Sequence, residues 1–593
     1  MDDKFNLSYF KSRPIDLKHL EETFLPTGDD IKYGYNSFRI QDFQNYIPIY
    51  STLFNMNEKN YNQVTLNNRY HFVDMNTVYD SATKTLSERE VFIKFSPLID
   101  PIRYMIGKYN SYHNIRTLPT ISNSISNPCF AKLSSYNNVS YVDGFYCFLT
   151  NILLEKHGFI HGLQYYGSYL GIQSVYKANI TDDIEYLNSS DYFNDNIDNG
   201  FSITQNPKLE YSNFGSRGNK HKLQISSSTH NITVDNIELD QLDCSVVSDI
   251  THENATKEAE MEEMEEMEEM EEIYKTSSKN NSASINSSYS STNTSNNSQA
   301  NYSTDSDNEE EDVSNDNEDE NDDEWETEDE DTSSNSDCLS SDEEDHIYAY
   351  IKNFPTQMIC IEKCHGTIDE LFVKDKIQSE TGSSALFQIL MILITYQKAF
   401  NFTHNDLHTN NIMYVKTDIE YLYYKIDNQI YQVPTYGYIY KIIDFGRSIY
   451  SYSGNLYCSD SFAKDGDANS QYNFEPYYNK SKPQILPNPS FDLCRLGTSI
   501  YDFIIDEDDS PTDMDDFQKI ISCWCKDDQG KNVLYKKNGE ERYPNFKLYK
   551  MIARTVHHHI PKDQLKHSIF KQFLYSGSPP ENFMDIDSIP SYV

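Results

Sequence analysis

The chain has 593 residues, enough for several domains, and it carries a formal net charge of −44. This charge disfavours direct binding to nucleic acid, because a strongly negative chain lacks the basic surface that neutralises phosphates. The chain opens with the polar run MDDKFNLSYF and has no apolar run of about 18 residues, so we expect neither a signal peptide nor a membrane contact. Its ten cysteines are scattered, which favours a reducing, cytoplasmic environment.

The predicted elements before residue 190 are short strands and one long helix. Residues 1–61 are expected to form an extension ahead of the folded core. The segments NTVYDSATKT at 76–85 and VFIKF at 91–95 have the β-branched and aromatic content of strands. A helix is predicted over YVDGFYCFLTNILLEK at 141–156, followed by a strand within LQYYGSYLG at 163–171.

An acidic insert of low complexity is predicted at 190–345. Within it, residues 241–345 contain 36 acidic and 3 basic side chains, which accounts for −33 of the net charge and leaves −11 for the rest of the chain. Such a segment cannot bury enough apolar surface to offset its chain entropy, so we expect it to be disordered. Two roles stay open for the insert: binding of basic proteins, or a solvated spacer.

The elements after the insert lead into a polar, chemically distinctive loop. Residues 384–404 have apolar positions at helical spacing. Alternating aromatic and polar residues around Asp427-Asn428 predict an extended hairpin. The sequence His557-His558-His559 is interpreted as a polar turn rather than a metal site.

Two motifs carry the chemistry: HNDLHTNN at 404–411, and Asp444-Phe445-Gly446. Phosphoryl transfer needs a carboxylate that faces the attacking hydroxyl and oxygen ligands for a hard cation. Asp406 suits the first role, as the proton acceptor, while Asn411 and Asp444 suit the second, as ligands of Mg²⁺. The sequence therefore predicts transfer of the γ-phosphate of ATP.

These motifs, in this order, resemble the protein kinase superfamily. A third block, DLCRLG at 492–497, resembles the helix start whose Asp braces the catalytic loop. The resemblance implies an α+β, bilobal fold with a small β-rich N-lobe at 62–189, a last N-lobe strand and hinge at 346–365, and a helical C-lobe at 366–593. The insert would interrupt the N-lobe between its fourth and fifth strands.

The resemblance also implies roles for residues outside the motifs. Lys94 would pair with the α and β phosphates of ATP. Val78 would cover the adenine, and the backbone from Glu362 to Cys364 would form the hinge that binds it. The acid paired with Lys94 is either Asp143 or Glu155, of which Asp143 is preferred because Glu155 lies where the helix should end.

Three departures from the family pattern bear on activity. No glycine stands at Asp74-Met75-Asn76, where a Gly-rich loop would approach the phosphates. Asn405 replaces the Arg that pairs with a phosphorylated activation segment, so we expect no activation by phosphorylation within 447–489. His408, assigned as a second catalytic residue, replaces a Lys and is partly charged near neutrality, so transfer should weaken as pH rises unless Mg²⁺ supplies the needed charge.

The leading functional hypothesis is a serine/threonine-protein kinase that uses ATP and Mg²⁺ and acts on protein hydroxyls. Two alternatives stay open: a pseudokinase scaffold with an acidic interaction segment, and a small-molecule phosphotransferase. The segments VFIKFSP and YVDGFYCFL and the long hairpin also resemble serine/threonine kinases of giant DNA viruses such as mimivirus. That resemblance implies a location in the host cytoplasm or the virion.

Overall fold

A computed structural model describes residues 9–11, 13–122, 129–181, 183–204, 346–505, 512–537, 539–544, 546–577 and 580–593. These residues belong to one compact unit, formed by Met1–Leu242 and Asp345–Val593. The fold is mixed α+β: β-strands dominate the first part of the unit, and helices dominate the second. Among the described residues, no helix is long and apolar enough to cross a membrane.

The helices and strands are numbered in chain order. The helices are α1 Leu17–Thr23, α2 Asp29–Tyr33, α3 Pro101–Met105, α4 Ala131–Ser134, α5 Val139–His157, α6 Ile184–Asn188, α7 Asp191–Asn196, α8 Ile368–Val373, α9 Ser379–Phe400, α10 Phe491–Ile504, α11 Asp516–Trp524, α12 Lys547–Thr555, α13 Pro561–Gln564 and α14 Ser568–Lys571. The strands are β1 Tyr9–Lys11, β2 Ile40–Gln44, β3 Val64–Leu66, β4 Tyr70–Asp74, β5 Thr77–Asp80, β6 Thr85–Glu88, β7 Val91–Pro97, β8 Tyr165–Asn179, β9 Phe201–Ile203, β10 Tyr348–Glu362, β11 Gly366–Thr367, β12 Ile412–Lys416, β13 Tyr421–Ile426, β14 Gln429–Pro434, β15 Tyr438–Ile442, β16 Ile449–Tyr452, β17 Asn455–Cys458 and β18 Met584–Asp585.

A five-stranded antiparallel sheet organises the β-rich part. Its strand order is β2-β8-β10-β7, and β9 also pairs with β10. Helix α5 packs on this sheet, where Ser96 on β7 bonds to Ser140 at 2.8 Å. Gly144 permits the close approach, since a Cβ there would overlap the side chain of Gln357 on β10. The preceding residue of the helix, Asp143, is thereby held against the sheet.

The segment predicted as one strand at 76–85 forms two strands, β5 and β6. These two strands pair with each other, and β5 also pairs with β4. The turn between β4 and β5 is tight, and its backbone is bonded to the chain around β7: Val91 donates to the carbonyl of Met75 at 2.9 Å. Lys94 lies three residues further along β7, or about 10 Å. The turn between β4 and β5 therefore lies beside the start of β7 rather than beside Lys94.

The helical part is built around α9, which is buried along most of its length. This helix confirms the periodicity predicted over 384–404, and α5 confirms the helix predicted over 141–156. The predicted hairpin is formed by β13 and β14, and its turn residues Asp427 and Asn428 have φ values of 51° and 60°. Two positive φ values in a two-residue turn match the twist of antiparallel strands.

The folded chain continues past residue 190, where the insert was predicted to begin. Helix α7 and strand β9 are ordered, and β9 pairs with β10 from Ala349 to Ile351. This boundary is corrected to beyond Thr204, because Phe193 and Phe201 stack with ring centroids 5.2 Å apart and supply apolar burial that the acidic sequence lacks. The rest of the insert, residues 205–345, lies outside the described residues.

A buried histidine predicts how stability depends on pH. His161 bonds through its two ring nitrogens to the carbonyl of Tyr440 and the hydroxyl of Tyr424, each at 2.7 Å, and burial lowers its pKa to about 3. Between pH 6.5 and 3, His161 is protonated in the unfolded chain and neutral in the folded chain. We therefore expect the free energy of unfolding to fall as pH falls below 6.5, by at most about 1.4 kcal/mol per pH unit from this group.

Urea unfolding at pH 7.5, 6 and 5 measures this effect. The His161→Gln variant should lose less stability on acidification than the parent protein, while the exposed His113→Gln variant should follow the parent. Parallel pH profiles for His161→Gln and the parent would contradict the assignment.

Candidate active site

Lys94 lies between two carboxylates. Its Nζ is 2.7 Å from Oδ2 of Asp143 on α5 and 2.9 Å from Oδ1 of Asp444. Burial alone would lower the pKa of Lys94, but the two acids hold it above its ordinary value. Of the two acids weighed from the sequence, Asp143 is therefore the partner of Lys94. Glu155 instead accepts a hydrogen bond from Gln164 Nε2 at 3.0 Å.

Asp143 has a second contact that orders the D-F-G segment. Its Oδ1 accepts a hydrogen bond from the backbone N–H of Phe445 at 2.9 Å. The Phe445 ring is fully buried and lies 4.6 Å, between centroids, from the Tyr146 ring on the same helix. Asp143 therefore joins β7, α5 and the D-F-G segment in one contact set. Burial, followed by the nearby charge of Asp444, raises the pKa of Asp143 despite the opposing effect of Lys94.

The backbone of the catalytic loop is fixed by Asp492 at the start of α10. Its Oδ2 accepts from the N–H of His404 and its Oδ1 from the N–H of Asn405, both at 2.9 Å. This bracing was implied by the family resemblance and is confirmed. It holds Asn405 in a left-handed conformation with a φ of 64°, which an Asn tolerates better than most residues.

Asp406 is buried and has three partners that come from other segments. Its Oδ1 accepts a hydrogen bond from the hydroxyl of Tyr549 on α12 at 2.7 Å, and Arg495 Nε is 3.9 Å from the same oxygen. Its Oδ2 lies 3.4 Å from a terminal nitrogen of Arg447. Burial would raise the pKa of Asp406, but Arg447, His408, Arg495 and Tyr549 together bring it below its ordinary value. The carboxylate is therefore ionised across the physiological range.

Asp406 lacks the two usual cations, as the sequence indicates, but other residues supply positive charge beside it. Asn405 and His408 do lack a fixed charge, but Arg447 and Arg495 supply two positive charges within 4 Å of the carboxylate. Arg447 follows the D-F-G motif directly and Arg495 lies inside the DLCRLG block. Neither residue stands where the family pattern places a cation.

His408 does not fit the charged role predicted for it. It is buried, and burial lowers its pKa to about 3 even though Asp406 favours the charged form. Its Nε2 lies 3.1 Å from Nδ2 of Asn411, which also donates to the carbonyl of Asp406 at 3.0 Å. His408 is therefore neutral from pH 6 to 8.5, and the predicted weakening of transfer with rising pH loses its cause.

The two predicted metal ligands lie on neighbouring stretches of backbone, since the N–H of Ile443 donates to the carbonyl of Asn411 at 3.0 Å. The amide nitrogen of Asn411 is used by Asp406 and His408, which leaves its Oδ1 as an acceptor, and the charges of Asp444 and Asp406 are close enough to affect each other. Within the described residues, no group of three or more His, Cys, Asp or Glu side chains can hold a metal ion alone. The pair suits Mg²⁺ because that ion usually takes few protein oxygens and completes its shell with phosphates and water. His557 in the histidine run bonds instead to Asp528 at 2.6 Å.

The residues predicted to contact adenine lie in different surroundings, and that role stays a prediction for each of them. Val78 is fully buried in an apolar cluster with Val91, Tyr166 and Met358, so it does not face an open cleft. The N–H of Glu362 donates to the carbonyl of Gln164 at 2.9 Å, and its carboxylate pairs with Lys441, so these two groups are already engaged. The hinge role predicted for the backbone from Glu362 to Cys364 stays a prediction. Cys364 lies just beyond β10 and is partly exposed. Phe92, which sequence reasoning missed, is 49% exposed on the same face of β7 as Lys94.

The segment after the D-F-G motif is held by contacts that need no phosphate. Asn405 donates to the carbonyl of Arg447 at 3.0 Å and accepts from the hydroxyl of Tyr472 at 2.8 Å. Asp460 pairs with Lys132 at 2.6 Å and accepts from the N–H of Val139, the first residue of α5, at 2.9 Å. The carboxylate of Asp460 thus links this segment to α5, the helix that carries Asp143.

We expect phosphatase treatment to leave the phosphoryl transfer predicted from the sequence unchanged, because the segment is fixed by Asn405 and Asp460 rather than by a phosphate. Asp460→Asn should lower activity severalfold, since it removes the charge that pairs with Lys132 and faces the N-terminus of α5. Activity of treated and untreated protein, with phosphate content checked by mass spectrometry, measures this. A large loss on phosphatase treatment, restored by acidic substitutions within 447–489, would overturn it.

Comparison with known proteins gives a limited match. No protein-family model matches the chain. The serine/threonine-protein kinase haspin of Mus musculus is 32% identical to this chain over 126 residues, which is 20% of this chain and 16% of the relative. Haspin of Bos taurus matches with the same identity and coverage. This distant similarity supports a relation between part of the chain and the protein kinase superfamily. The predicted resemblance to kinases of giant DNA viruses stays a prediction.

Proposed function

We propose that the protein is a kinase that transfers the γ-phosphate of ATP, in the presence of Mg²⁺, to serine or threonine hydroxyls of proteins. The proposal rests mainly on one observation: Lys94, Asp143 and Asp444 form one ion-pair set, and Asp406 is near enough for its charge to act on Asp444. In such an arrangement a lysine and a metal-binding carboxylate can hold the nucleotide phosphates, while a second carboxylate faces the acceptor hydroxyl. We infer that the β-rich and helical parts are the two lobes of a kinase-like fold.

The residues have distinct roles in the proposed reaction. Lys94, oriented by Asp143, would hold nucleotide phosphates by charge. Asn411 and Asp444 would hold Mg²⁺, which when bound supplies positive charge to the phosphates. Asp406 would accept a hydrogen bond from the acceptor hydroxyl and take its proton as the oxygen attacks the γ-phosphorus. The bond from that phosphorus to the β-γ bridging oxygen breaks, and ADP leaves. The exposed ring of Phe92 offers an apolar surface for the base.

The distant similarity to haspin, a serine/threonine-protein kinase by name, favours protein acceptors over small alcohols. We propose cytoplasmic protein substrates and, through the acidic insert, basic partner proteins. A second function, that of a pseudokinase scaffold, is favoured by one observation: the turn between β4 and β5 lies beside the start of β7, about 10 Å along that strand from Lys94.

One assay separates these functions. The full chain is incubated with Mg²⁺ and γ-labelled ATP, alone, with a generic basic protein, and with small alcohols. Label on protein that Asp444→Ala loses, and that the exposed control Asp418→Ala keeps, supports the kinase. Label on the alcohols supports a small-molecule phosphotransferase. Nucleotide binding without any transfer supports the scaffold.

A further inference from the structure

The catalytic carboxylate of the proposed kinase is surrounded by residues from three distant segments. Tyr549 is 143 residues from Asp406 in the sequence, yet its hydroxyl donates to Asp406 Oδ1 at 2.7 Å. The same hydroxyl accepts a hydrogen bond from Arg495 Nε at 2.9 Å. Arg495, Tyr549 and Asp406 therefore form a continuous hydrogen-bonded chain.

Burial of Arg495 in this hydrogen-bonded chain has a free-energy cost. Its side chain is fully buried, and its two terminal nitrogens have no hydrogen-bond partner among the described residues. Within those residues the acid nearest to it is Asp406, at 3.9 Å. A buried guanidinium is strongly unfavourable unless an anion compensates it. Its position is explained by the charge of Asp406 and the hydroxyl of Tyr549, not by a separate structural ion pair.

Arg447 completes the arrangement from the other side. It is held by Asp467, whose Oδ2 is 2.6 Å from its terminal nitrogen, and it reaches Asp406 Oδ2 at the longer distance of 3.4 Å. The guanidinium carbons of Arg447 and Arg495 lie 5.6 and 5.1 Å from the centroid of the Tyr549 ring. The aromatic ring thus packs against both cations and fixes their positions relative to the carboxylate.

We propose that Tyr549, Arg447 and Arg495 are positioning residues that replace the cations missing at Asn405 and His408 and orient Asp406 for the acceptor hydroxyl. This inference rests on the proposed function. Tyr549 occupies Oδ1 with a short hydrogen bond, so Oδ2, whose contact with Arg447 is long, is the oxygen left to face the acceptor. The position of Oδ2 then depends on the hydroxyl of Tyr549, although Tyr549 itself does not touch the substrate.

The test compares two Tyr→Phe variants that each remove a hydroxyl bonded to a carboxylate. Tyr549→Phe removes the contact to Asp406, and Tyr535→Phe removes a 2.9 Å contact to Asp502 away from the site. Tyr549→Phe is expected to lower kcat by about ten- to a hundredfold, with the KM for ATP and the Kd for ATP changed less than twofold. Tyr535→Phe should stay within twofold of the parent. A merely structural role for Tyr549 would change thermal stability without this split between kcat and KM.

A second pair of variants tests the charge. Arg447→Lys should retain more of kcat than Arg447→Met, because the lysine keeps a positive charge near Asp406 and Asp467. An active parent protein with an unchanged or increased kcat in Tyr549→Phe would overturn this inference and leave the proposed function standing. A parent protein that binds ATP but transfers no phosphate would overturn both.

Discussion

Replacing Asp406 with Asn is expected to lower kcat by about 10²–10⁴-fold, because the group proposed to take the hydroxyl proton is removed. ATP affinity should change by less than about twofold, since Lys94 and Asp444, which are proposed to hold the phosphates and the metal, keep their contacts. Initial rates at saturating ATP and a direct nucleotide titration measure the two quantities. A variant that retains a tenth or more of the activity would exclude Asp406 as the proton acceptor.

The same substitution is expected to destabilise the fold, although removal of a catalytic acid often relieves strain or repulsion. Here the carboxylate compensates Arg447 and Arg495, whose side chains are 6% and 0% exposed. An uncompensated buried cation costs about 3–5 kcal/mol. We expect the free energy of unfolding of Asp406→Asn to fall by an amount of that order, while the exposed control Asp418→Asn should lie within about 0.5 kcal/mol of the parent. A gain in stability would contradict the environment described for Asp406.

The parts of the fold that sequence reasoning reached are those with local signals. Helix α9 and the hairpin around Asp427 are specified by periodicity and turn chemistry within a few residues. Lys94 and Asp444 were named because each lies in a short run with a recognisable residue pattern, while Asp143 was preferred over Glu155 from its place in the predicted helix. Lys94 Nζ lies within 3 Å of a carboxylate oxygen of both Asp143 and Asp444. Local patterns can therefore predict a tertiary contact when the elements that carry them follow a fixed order.

The environment of Asp406 could not be predicted in the same way. Tyr549 belongs to a short amphipathic helix near the end of the chain, and nothing in its own segment points to a carboxylate 143 residues away. The sequence shows that Asn405 and His408 stand in place of the usual Arg and Lys. It does not show which other cations lie beside Asp406, because their positions are set by tertiary packing. The same is true of Val78: the strand pattern was readable, while the face that it presents depends on where the hairpin turns.

The neutral state of His408 has a similar origin. A histidine in an exposed loop would titrate near pH 6.5, and the sequence does not reveal that the loop is buried. Burial removes the expected dependence on pH, since a group with a pKa near 3 carries no charge to lose between pH 6 and 8.5. The positive charge near Asp406 therefore comes from arginines, which remain protonated throughout that range.

Replacing Lys94 with Met is expected to abolish phosphoryl transfer and to weaken ATP binding by at least tenfold. The lysine is the cation proposed to hold the phosphates, and it also lies between Asp143 and Asp444. Without it, two buried carboxylates face each other, which is expected to cost about 3–5 kcal/mol of unfolding free energy at pH 7. Nucleotide titration and urea unfolding measure the two effects. An unchanged ATP affinity in Lys94→Met would show that Lys94 does not bind the nucleotide.

The dependence of this variant on pH distinguishes charge repulsion from a packing defect. Burial and the charge of Asp444 already raise the pKa of Asp143, and loss of Lys94 should raise it further. A carboxyl whose pKa is raised in the folded state binds a proton that the unfolded chain releases, so stability increases as pH falls toward that pKa. Lys94→Met should therefore regain stability relative to the parent between pH 7 and 5. The double variant Lys94→Met, Asp143→Asn should recover stability at pH 7 but not ATP binding, because the repulsion is gone and the phosphate contact is still missing.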